Sequence, residues 1–283
     1  MKVKIISDST CDLSKEILEK YDITVQPLYV NFNDETKKDG IDACPEDIYE
    51  FVEKNGKLPT TSASSIGDYL ETFKYWLDKG YEIVHFNISS DFSCTHSNAR
   101  LAAEELDGVY IVDSRNLSTG QGLVVLHGAE MAMKGCSAKE IYESCNDITS
   151  RVEASFVVDS IDYLYKGGRC SALAAFGANL LKLKPCIEVK DGKMSPSKKY
   201  RGNISKVMLN YVADRLSGRD DIDKHRVFIT HTKCSKEDVE NVRAKLMELC
   251  PDFEEILETT AGCTVTTHCG PNTLGVLFIR KAM

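Results

Sequence analysis

Short apolar runs alternate with amphipathic stretches along the first half of the chain. Residues 3–6, 82–88 and 109–112 are short and apolar, which is typical of buried strands. Apolar residues at helical spacing predict helices at 13–21, 46–54, 66–79, 94–106, 119–134 and 138–152. Strands that alternate with helices in this way predict a mostly parallel sheet covered by helices on both faces.

Local signals indicate where several of these helices begin. Asp12 can cap the helix predicted at 13–21, and Pro45 suits the first position of the next helix. Ser65 and Asp68 form a capping-box pattern. Residues 23–32, between the first two helices, are predicted to be extended.

The second half has a different pattern. Residues 154–158 read as a strand, followed by a long helical stretch to Leu183. Asp191-Gly192 lies between two extended runs and is a strong hairpin signal. The remaining elements are predicted as helices at 203–217 and 235–248, a strand at 227–230 and two late strands.

This pattern indicates an α+β unit with a mixed or antiparallel sheet. The predicted fold is therefore α/β with two domains, an N-terminal three-layer α/β/α domain at 1–152 and a C-terminal α+β domain at 153–283. The length of 283 residues is sufficient for two domains of ordinary size.

Charge and hydropathy exclude several classes of protein. The formal net charge of −8 disfavours nucleic acid and anionic membranes as partners, because both require basic surfaces. A DNA-binding regulator is disfavoured for the same reason. The first residues lack the apolar core of a signal peptide, and the longest nearly apolar run, 172–181, is too short to span a bilayer. We therefore expect a cytoplasmic protein without an integral membrane segment.

The eleven cysteines do not form a recognisable framework. Their number is odd, they are scattered singly, and no C-x-x-C motif occurs. The one cluster, Cys263, His268 and Cys269, lacks regular zinc-ligand spacing. We expect reduced thiols, no metal and no other cofactor.

Four segments rich in hydroxyl side chains lie at predicted strand-to-helix turns or directly before helices. They are residues 7–10, 59–65, 89–97 and 113–120. One such segment is explained by helix capping alone. Because ligands of open α/β sheets bind beyond the carboxyl ends of the strands, the coincidence of four segments predicts a binding site at this edge.

Two motifs in the second half leave alternatives open. Lys166-Gly167-Gly168-Arg169 is either a plain helix end with solvated charges or a place where a basic pair lies close to backbone. His268 precedes Gly270-Pro271 in what reads as a polar turn. It is either a hydrogen-bonded core histidine or part of a ligand site.

Six motifs, in order along essentially the whole chain, resemble the DegV family of bacterial proteins. They are Ser7-Asp8-Ser9-Thr10, Thr60-Thr61-Ser62, Ser89-Ser90 with Phe92-Ser93-Cys94-Thr95, Val112-Asp113-Ser114, Tyr163-Leu164 with Lys166-Gly167-Gly168-Arg169, and Thr267-His268-Cys269-Gly270-Pro271. The resemblance implies two α/β domains that bury a long-chain fatty acid, such as palmitate, between them. It also implies a possible partner, since some members present the acid to a separate fatty acid kinase subunit.

The resemblance also implies which residues form the site. Thr61, Ser93 and His268 would bind the carboxylate, with Ser62 and Cys94 nearby. Arg169 and Arg201 would lie towards the site or the docking face for the partner. The chain departs from the family where glycine is common, with Cys94 and Asn272, and where Ser62-Ala63-Ser64 replaces Ser-Gln-Pro.

The rival reading is an enzyme. Ser93 could act as the nucleophile of a hydrolase or acyltransferase, with His268 as its base and Asp8 or Asp113 as the acid that orients the histidine. An enzyme should turn over an acyl ester, whereas a carrier should co-purify with intact acid.

Overall fold

The computed structural model describes residues 2–170, 172 and 183–282. In chain order the strands are β1 (Lys2–Asp8), β2 (Thr24–Gln26), β3 (Tyr29–Phe32), β4 (Glu35–Lys38), β5 (Thr60–Ser62), β6 (Tyr81–Asn87), β7 (Val109–Asp113), β8 (Val152–Glu153), β9 (Ser155–Val157), β10 (Lys184–Lys190), β11 (Lys193–Tyr200), β12 (Ile222–Thr232), β13 (Glu255–Thr260) and β14 (Thr273–Arg280). The helices are α1 (Lys15–Lys20), α2 (Pro45–Asn55), α3 (Ile66–Leu77), α4 (Thr95–Ala103), α5 (Ser118–Met133), α6 (Ala138–Thr149), α7 (Asp162–Gly167), α8 (Ile204–Leu216), α9 (Lys236–Leu249) and α10 (Cys263–Cys269), with a 3₁₀ turn at Ser9–Cys11.

The first sheet has four parallel strands in the order β2-β1-β6-β7. Alternate residues of each strand point to opposite faces. Ile6 and Ile83 therefore pack against α3 and α4, whereas Ile5 and Val84 pack against α5 and α6. The predicted parallel sheet with helices on both faces is confirmed.

The second sheet has seven strands, with β11-β10-β9-β14-β12-β13 in order and β8 paired with β14. Its pairs are antiparallel except β12 with β13, which confirms the predicted mixed sheet and the hairpin at Asp191-Gly192. One face packs on α8 and α9. The other face contributes Phe156 and Leu277 to the apolar cluster that contains α5, so this helix lies between the two sheets.

A third sheet, β4-β3-β5, is small and antiparallel, and the hydropathy pattern did not predict it. Residues 23–32 were expected to form one extended run. The run instead contains two strands separated at Pro27, which has no N–H to donate to a ladder. The division places β3 in a separate sheet beside β5.

The predicted helix starts are mostly confirmed. Pro45 is the first residue of α2, and Ser65 and Asp68 form the capping box of α3. The expectation for Asp12 is wrong. Asp12 is buried with φ of 51°, and Ser14 caps α1 by accepting from the N–H of Ile17 at 3.4 Å.

The long helical stretch expected up to Leu183 is described only in part. Helix α7 ends at Gly167, and residues 171 and 173–182 lie outside the described part of the chain. Strand β8 begins at Val152 and belongs to the second sheet. The division into domains 1–152 and 153–283 remains a prediction.

Candidate functional site

A cavity of about 390 Å³ lies where the carboxyl end of the parallel sheet, the small sheet and α10 meet. Its lining consists of Leu28, Thr61, Ser62, Ala63, Ile88, Phe92, Ser93, Cys94, Leu117, Arg169, Met194, Thr264, Val265, His268 and Cys269. Most of these side chains are apolar, and the volume falls within the range of about 300–1,000 Å³ that is usual for small-molecule sites. The cavity can therefore hold an apolar ligand.

Six of the seven predicted site residues line this cavity. Thr61 and Ser62 come from β5, Ser93 and Cys94 precede α4, and the other two follow α7 or lie in α10. Arg201 follows β11 and is exposed, and it is not among the described lining residues. The structure thus brings together segments that are up to 207 positions apart in the sequence.

Thr61 and His268 form a hydrogen bond, with 2.9 Å between Thr61 Oγ1 and His268 Nε2. Burial, together with the smaller effect of the Arg169 charge, lowers the pKa of His268 to about 4, so the ring is neutral at neutral pH. His268 lies in helix α10, and not in the polar turn that the sequence predicted. The run Cys263–Cys269 is rich in threonine, which disfavours helix in isolation.

The glycines of the Lys166–Arg169 motif have separate roles. Gly168 ends α7 with φ of 69°, which glycine adopts without strain. A Cβ atom at Gly167 would lie only 2.4 Å from His268 Nδ1, so this glycine leaves space for the imidazole ring. The motif is therefore both a helix end and part of the site wall.

A hydrogen bond joins the two hydroxyl-rich regions at the cavity, which are the segment 59–65 and the start of α4. Ser93 Oγ accepts from the N–H of Thr95 at 3.2 Å, and Asn98 Nδ2 donates to Ser64 O at 2.8 Å. The hydroxyl hydrogen of Ser93 remains available to a ligand, because this bond uses only an oxygen lone pair. The exposed thiol of Cys94 lies beside it on the cavity wall.

The other two hydroxyl-rich segments serve the interior. Asp8 accepts from Thr10 Oγ1 at 2.5 Å, from Gln121 Nε2 at 2.8 Å and from the N–H of Ile88 at 2.8 Å. In the segment 113–120, Ser118 Oγ donates to Asp12 at 2.5 Å, and only Leu117 lines the cavity. Two of the four segments therefore provide hydroxyl groups to the site, and Thr264 of α10 provides another.

Neither acid proposed for a catalytic triad contacts His268 in the described part of the chain. Asp8 accepts the hydrogen bonds from Thr10, Gln121 and Ile88 that are given above. Asp113 accepts from the N–H groups of Arg115 at 2.9 Å and Ser90 at 3.3 Å. The histidine is oriented by Thr61 instead. The arrangement of serine, histidine and acid that an enzyme of this kind needs is not formed by these residues.

The sequence pattern did not identify the apolar wall of the cavity. Leu28 follows Pro27, Leu117 precedes α5, and Met194 lies in β11 directly after the hairpin turn. Each residue belongs to a different element, so no periodicity within one segment could have found them.

Metal ligation and membrane insertion receive no support from the described residues. Among residues 2–170, 172 and 183–282, no three histidine, cysteine or acidic side chains are grouped so that they could hold a metal ion. None of the eleven cysteines, all of which lie in the described ranges, forms a disulfide. No helix in the same ranges has the length and apolar character needed to cross a membrane.

Comparison with known proteins gives consistent matches over the whole length. The family model described as "Uncharacterised protein, DegV family" matches residues 2–281. A protein of Thermotoga maritima named "Fatty acid-binding protein" is 33% identical over 287 residues, which cover 97% of this chain and 96% of the relative.

Solved structures give the same result. A DegV family protein of Thermus thermophilus, whose structure is described by its fatty acid binding, has a TM-score of 0.89 and 27% identity, covering 99% of this chain and 100% of its own. A stearic acid-binding protein of Eubacterium ventriosum has a TM-score of 0.83 and 27% identity, with coverage of 99% and 98%. Sequence, fold and collinear motifs agree, and this chain belongs to the DegV family.

Proposed function

We propose that the protein binds a long-chain fatty acid in the cavity, with the carboxylate held by Thr61, Ser93 and His268. The observation that carries this proposal is the bond between Thr61 and His268 on the wall of an otherwise mostly apolar cavity. The names of the relatives in Thermotoga, Thermus and Eubacterium support the same ligand class.

The head group would be bound by neutral donors. A threonine hydroxyl has one hydrogen, so Thr61 can donate to the carboxylate only if His268 donates its Nε2 hydrogen to Thr61 Oγ1. The neutral ring has no second N–H, so His268 would then hold the carboxylate through Thr61. The lowered pKa of His268 is consistent with this neutral ring. Ser93 would donate from the facing segment, and Ser62 and Cys94 would surround the head group without charge.

The apolar tail would supply most of the binding free energy. Burying a sixteen-carbon chain contributes on the order of 12 kcal/mol, at about 0.8 kcal/mol per CH₂, before the costs of association are subtracted. The hydroxyl groups would instead fix the orientation of the acid. Both halves of the chain would contact the tail, through Leu28, Phe92 and Leu117 on one side and Met194 and Val265 on the other.

We further propose that the protein is a non-catalytic carrier that presents the carboxylate to a fatty acid kinase subunit. A groove of about 400 Å³ adjoins the cavity, and the two share Thr61, Arg169 and His268. Lys57 and Lys166 add positive charge to this groove, and its described lining residues include no acidic side chain. This groove suits an approaching phosphoryl group.

Replacing Arg169 or Arg201 with alanine tests the kinase proposal. We expect acid binding to change by less than about threefold, because these exposed side chains lie outside the proposed carboxylate contacts. Phosphorylation of the bound acid by an added kinase subunit should fall by at least tenfold. Arg100→Ala, on the exposed side of α4, is the matched control and should leave both unchanged. Equal losses of binding and phosphorylation would assign the arginines to the carboxylate site.

Identification of the bound small molecule tests the carrier against the hydrolase. Lipid released from the purified protein by denaturation should be an intact long-chain acid, as measured by mass spectrometry. The protein should not hydrolyse acyl esters. Ester turnover that is lost in Ser93→Ala would contradict the proposal. We also propose that the chain divides into two domains at residue 152, that the protein is cytoplasmic and that it needs no cofactor.

A further inference from the structure

Two buried carboxylates from the first half of the chain meet the beginning of α10, the helix that contains His268. Asp12 Oδ1 accepts from the N–H of Gly262 at 2.8 Å. Asp39 accepts from the N–H of Cys263 at 2.9 Å and from that of Thr264 at 3.1 Å. The first three N–H groups of this segment, which have no partner within a helix, are thus satisfied by side chains more than 220 positions away.

The same helix is also fixed at its other end. Thr232 Oγ1 donates to Gly270 O, and a Cβ atom at Gly270 would lie 2.6 Å from the ring of Tyr163 in α7. Helix α10 has only seven residues. Since each residue rises about 1.5 Å along the axis, Cys263 and His268 are separated by only about 7.5 Å along the helix.

We propose that Asp12 and Asp39 are positioning residues, which place His268 against Thr61 by holding the N–H groups at the start of α10. This inference rests on the proposed function, because it assigns a role to residues that do not line the cavity. The two aspartates would set how well the protein distinguishes a carboxylate head group, without contacting the ligand.

The two aspartates use their oxygens differently. Asp39 Oδ1 accepts from Cys263, and its Oδ2 accepts from both Thr264 and Ser9 Oγ, the latter at 3.0 Å. An asparagine would place an NH₂ group against these donors. Asp12 needs only Oδ1 as an acceptor for Gly262, while its Oδ2 faces the hydroxyl of Ser118. Burial raises the pKa of Asp12 to about 8, so a neutral asparagine resembles its state at neutral pH.

This difference gives a matched set of variants. Asp39→Asn and Asp12→Ala should each weaken binding of a long-chain acid about tenfold, because each removes a hydrogen-bond acceptor at the start of α10. Asp12→Asn should stay within about threefold of the wild type. Glu140→Gln, which alters the capping box of the remote helix α6, is the control for a general loss of helix capping.

A double-mutant cycle separates positioning from stability. Asp39→Asn should have no further effect on acid binding in a His268→Ala background, because its effect passes through the histidine. If Asp39→Asn fails to fold, the milder Ser9→Ala takes its place. This variant removes one donor to Asp39, and it should show the same non-additivity with a smaller loss of acid affinity. The imidazole ¹⁵N shifts of His268 should move in Asp12→Ala and not in Asp12→Asn.

Losses that add in the His268→Ala background, or unchanged His268 shifts in Asp12→Ala, would overturn the positioning role. If His268→Ala itself leaves acid binding unchanged, the proposed carboxylate site fails instead. The two failures are therefore distinguishable in one series of titrations.

Discussion

Two turns of similar composition follow neighbouring parallel strands and have opposite roles. Ser7-Asp8-Ser9-Thr10 follows β1, and Ser89 to Thr95 follows β6. The hydroxyl groups of the first turn are used within the protein, with Thr10 bound to Asp8 and Ser9 bound to Asp39. In the second turn, Ser93 lines the cavity with its hydroxyl hydrogen available.

The difference arises from a buried acceptor. Asp8 is fully buried and receives hydrogen bonds from Thr10, Asn87, Ile88 and Gln121. The bond from Ile88 fixes the residue that directly precedes the second turn. The turn that contains the buried carboxylate therefore acts as a structural support, whereas Ser93 of the second turn has no such acceptor and lines the cavity.

Replacement of Asp8, the buried acceptor, should have the largest effect on stability. Asp8→Ala removes the buried acceptor shared by Thr10, Asn87, Ile88 and Gln121 and leaves the N–H of Ile88 without its partner, so we expect it to lower the free energy of unfolding by about 3–5 kcal/mol. Ser93→Ala should lower it by less than about 1 kcal/mol, since the serine buries little apolar surface. Urea denaturation of both variants measures the contrast. Similar losses would show that the two turns have the same structural role.

The pH dependence of stability sharpens the comparison. Burial is the main cause that raises the pKa of Asp12, next to the first turn, from 3.8 to about 8, and the charges of Asp39 and Asp8 contribute to the same shift. Such a group stabilises the fold below pH 3.8, and this contribution is lost as the pH rises through about 8.

We therefore expect the stability of the wild type, relative to Asp12→Asn, to fall by up to about 1.4 kcal/mol per pH unit between pH 5 and pH 8. Comparing the two proteins cancels the titration of the histidines and of the other carboxylates. Urea midpoints at several pH values measure the difference. Parallel curves would mean that Asp12 is ionised in the folded protein across this range.

The smallest effect is expected at Cys94, in the second turn. Its exposed thiol makes no side-chain capping bond to α4, so Cys94→Gly should change acid affinity by less than about threefold. Titration of acids with different head groups would show whether the missing side chain widens tolerance. Loss of binding in this variant would give the thiol a positive role at the site.

Local patterns predicted most of the fold. The strands of the parallel sheet, the capping box at Ser65 and the hairpin at Asp191-Gly192 depend on neighbouring residues, and all three are confirmed. Helix α10 could not be predicted in this way. Its N–H groups are satisfied by Asp12 and Asp39, so its stability depends on distant contacts and not on its own threonine-rich sequence.

The sequence indicated which residues belong to the candidate site, but not which contacts hold them in place. Family resemblance identified Thr61, Ser93 and His268, and the structure places all three on one cavity. The space that Gly167 leaves for the histidine ring, and the use of Asp8 as an internal acceptor, are properties of packing. Neither produces a periodic or local signal in the sequence.

The most direct test of the central claim is a comparison of head groups. A long-chain acid and the alcohol of equal length are titrated into the wild type and into Ser93→Ala. Loss of one hydrogen bond to a charged group costs about 1.5–3 kcal/mol, so acid binding should weaken roughly ten- to a hundredfold while alcohol binding changes much less. Equal losses for acid and alcohol, or unchanged acid binding, would contradict the claim that Ser93 binds the carboxylate.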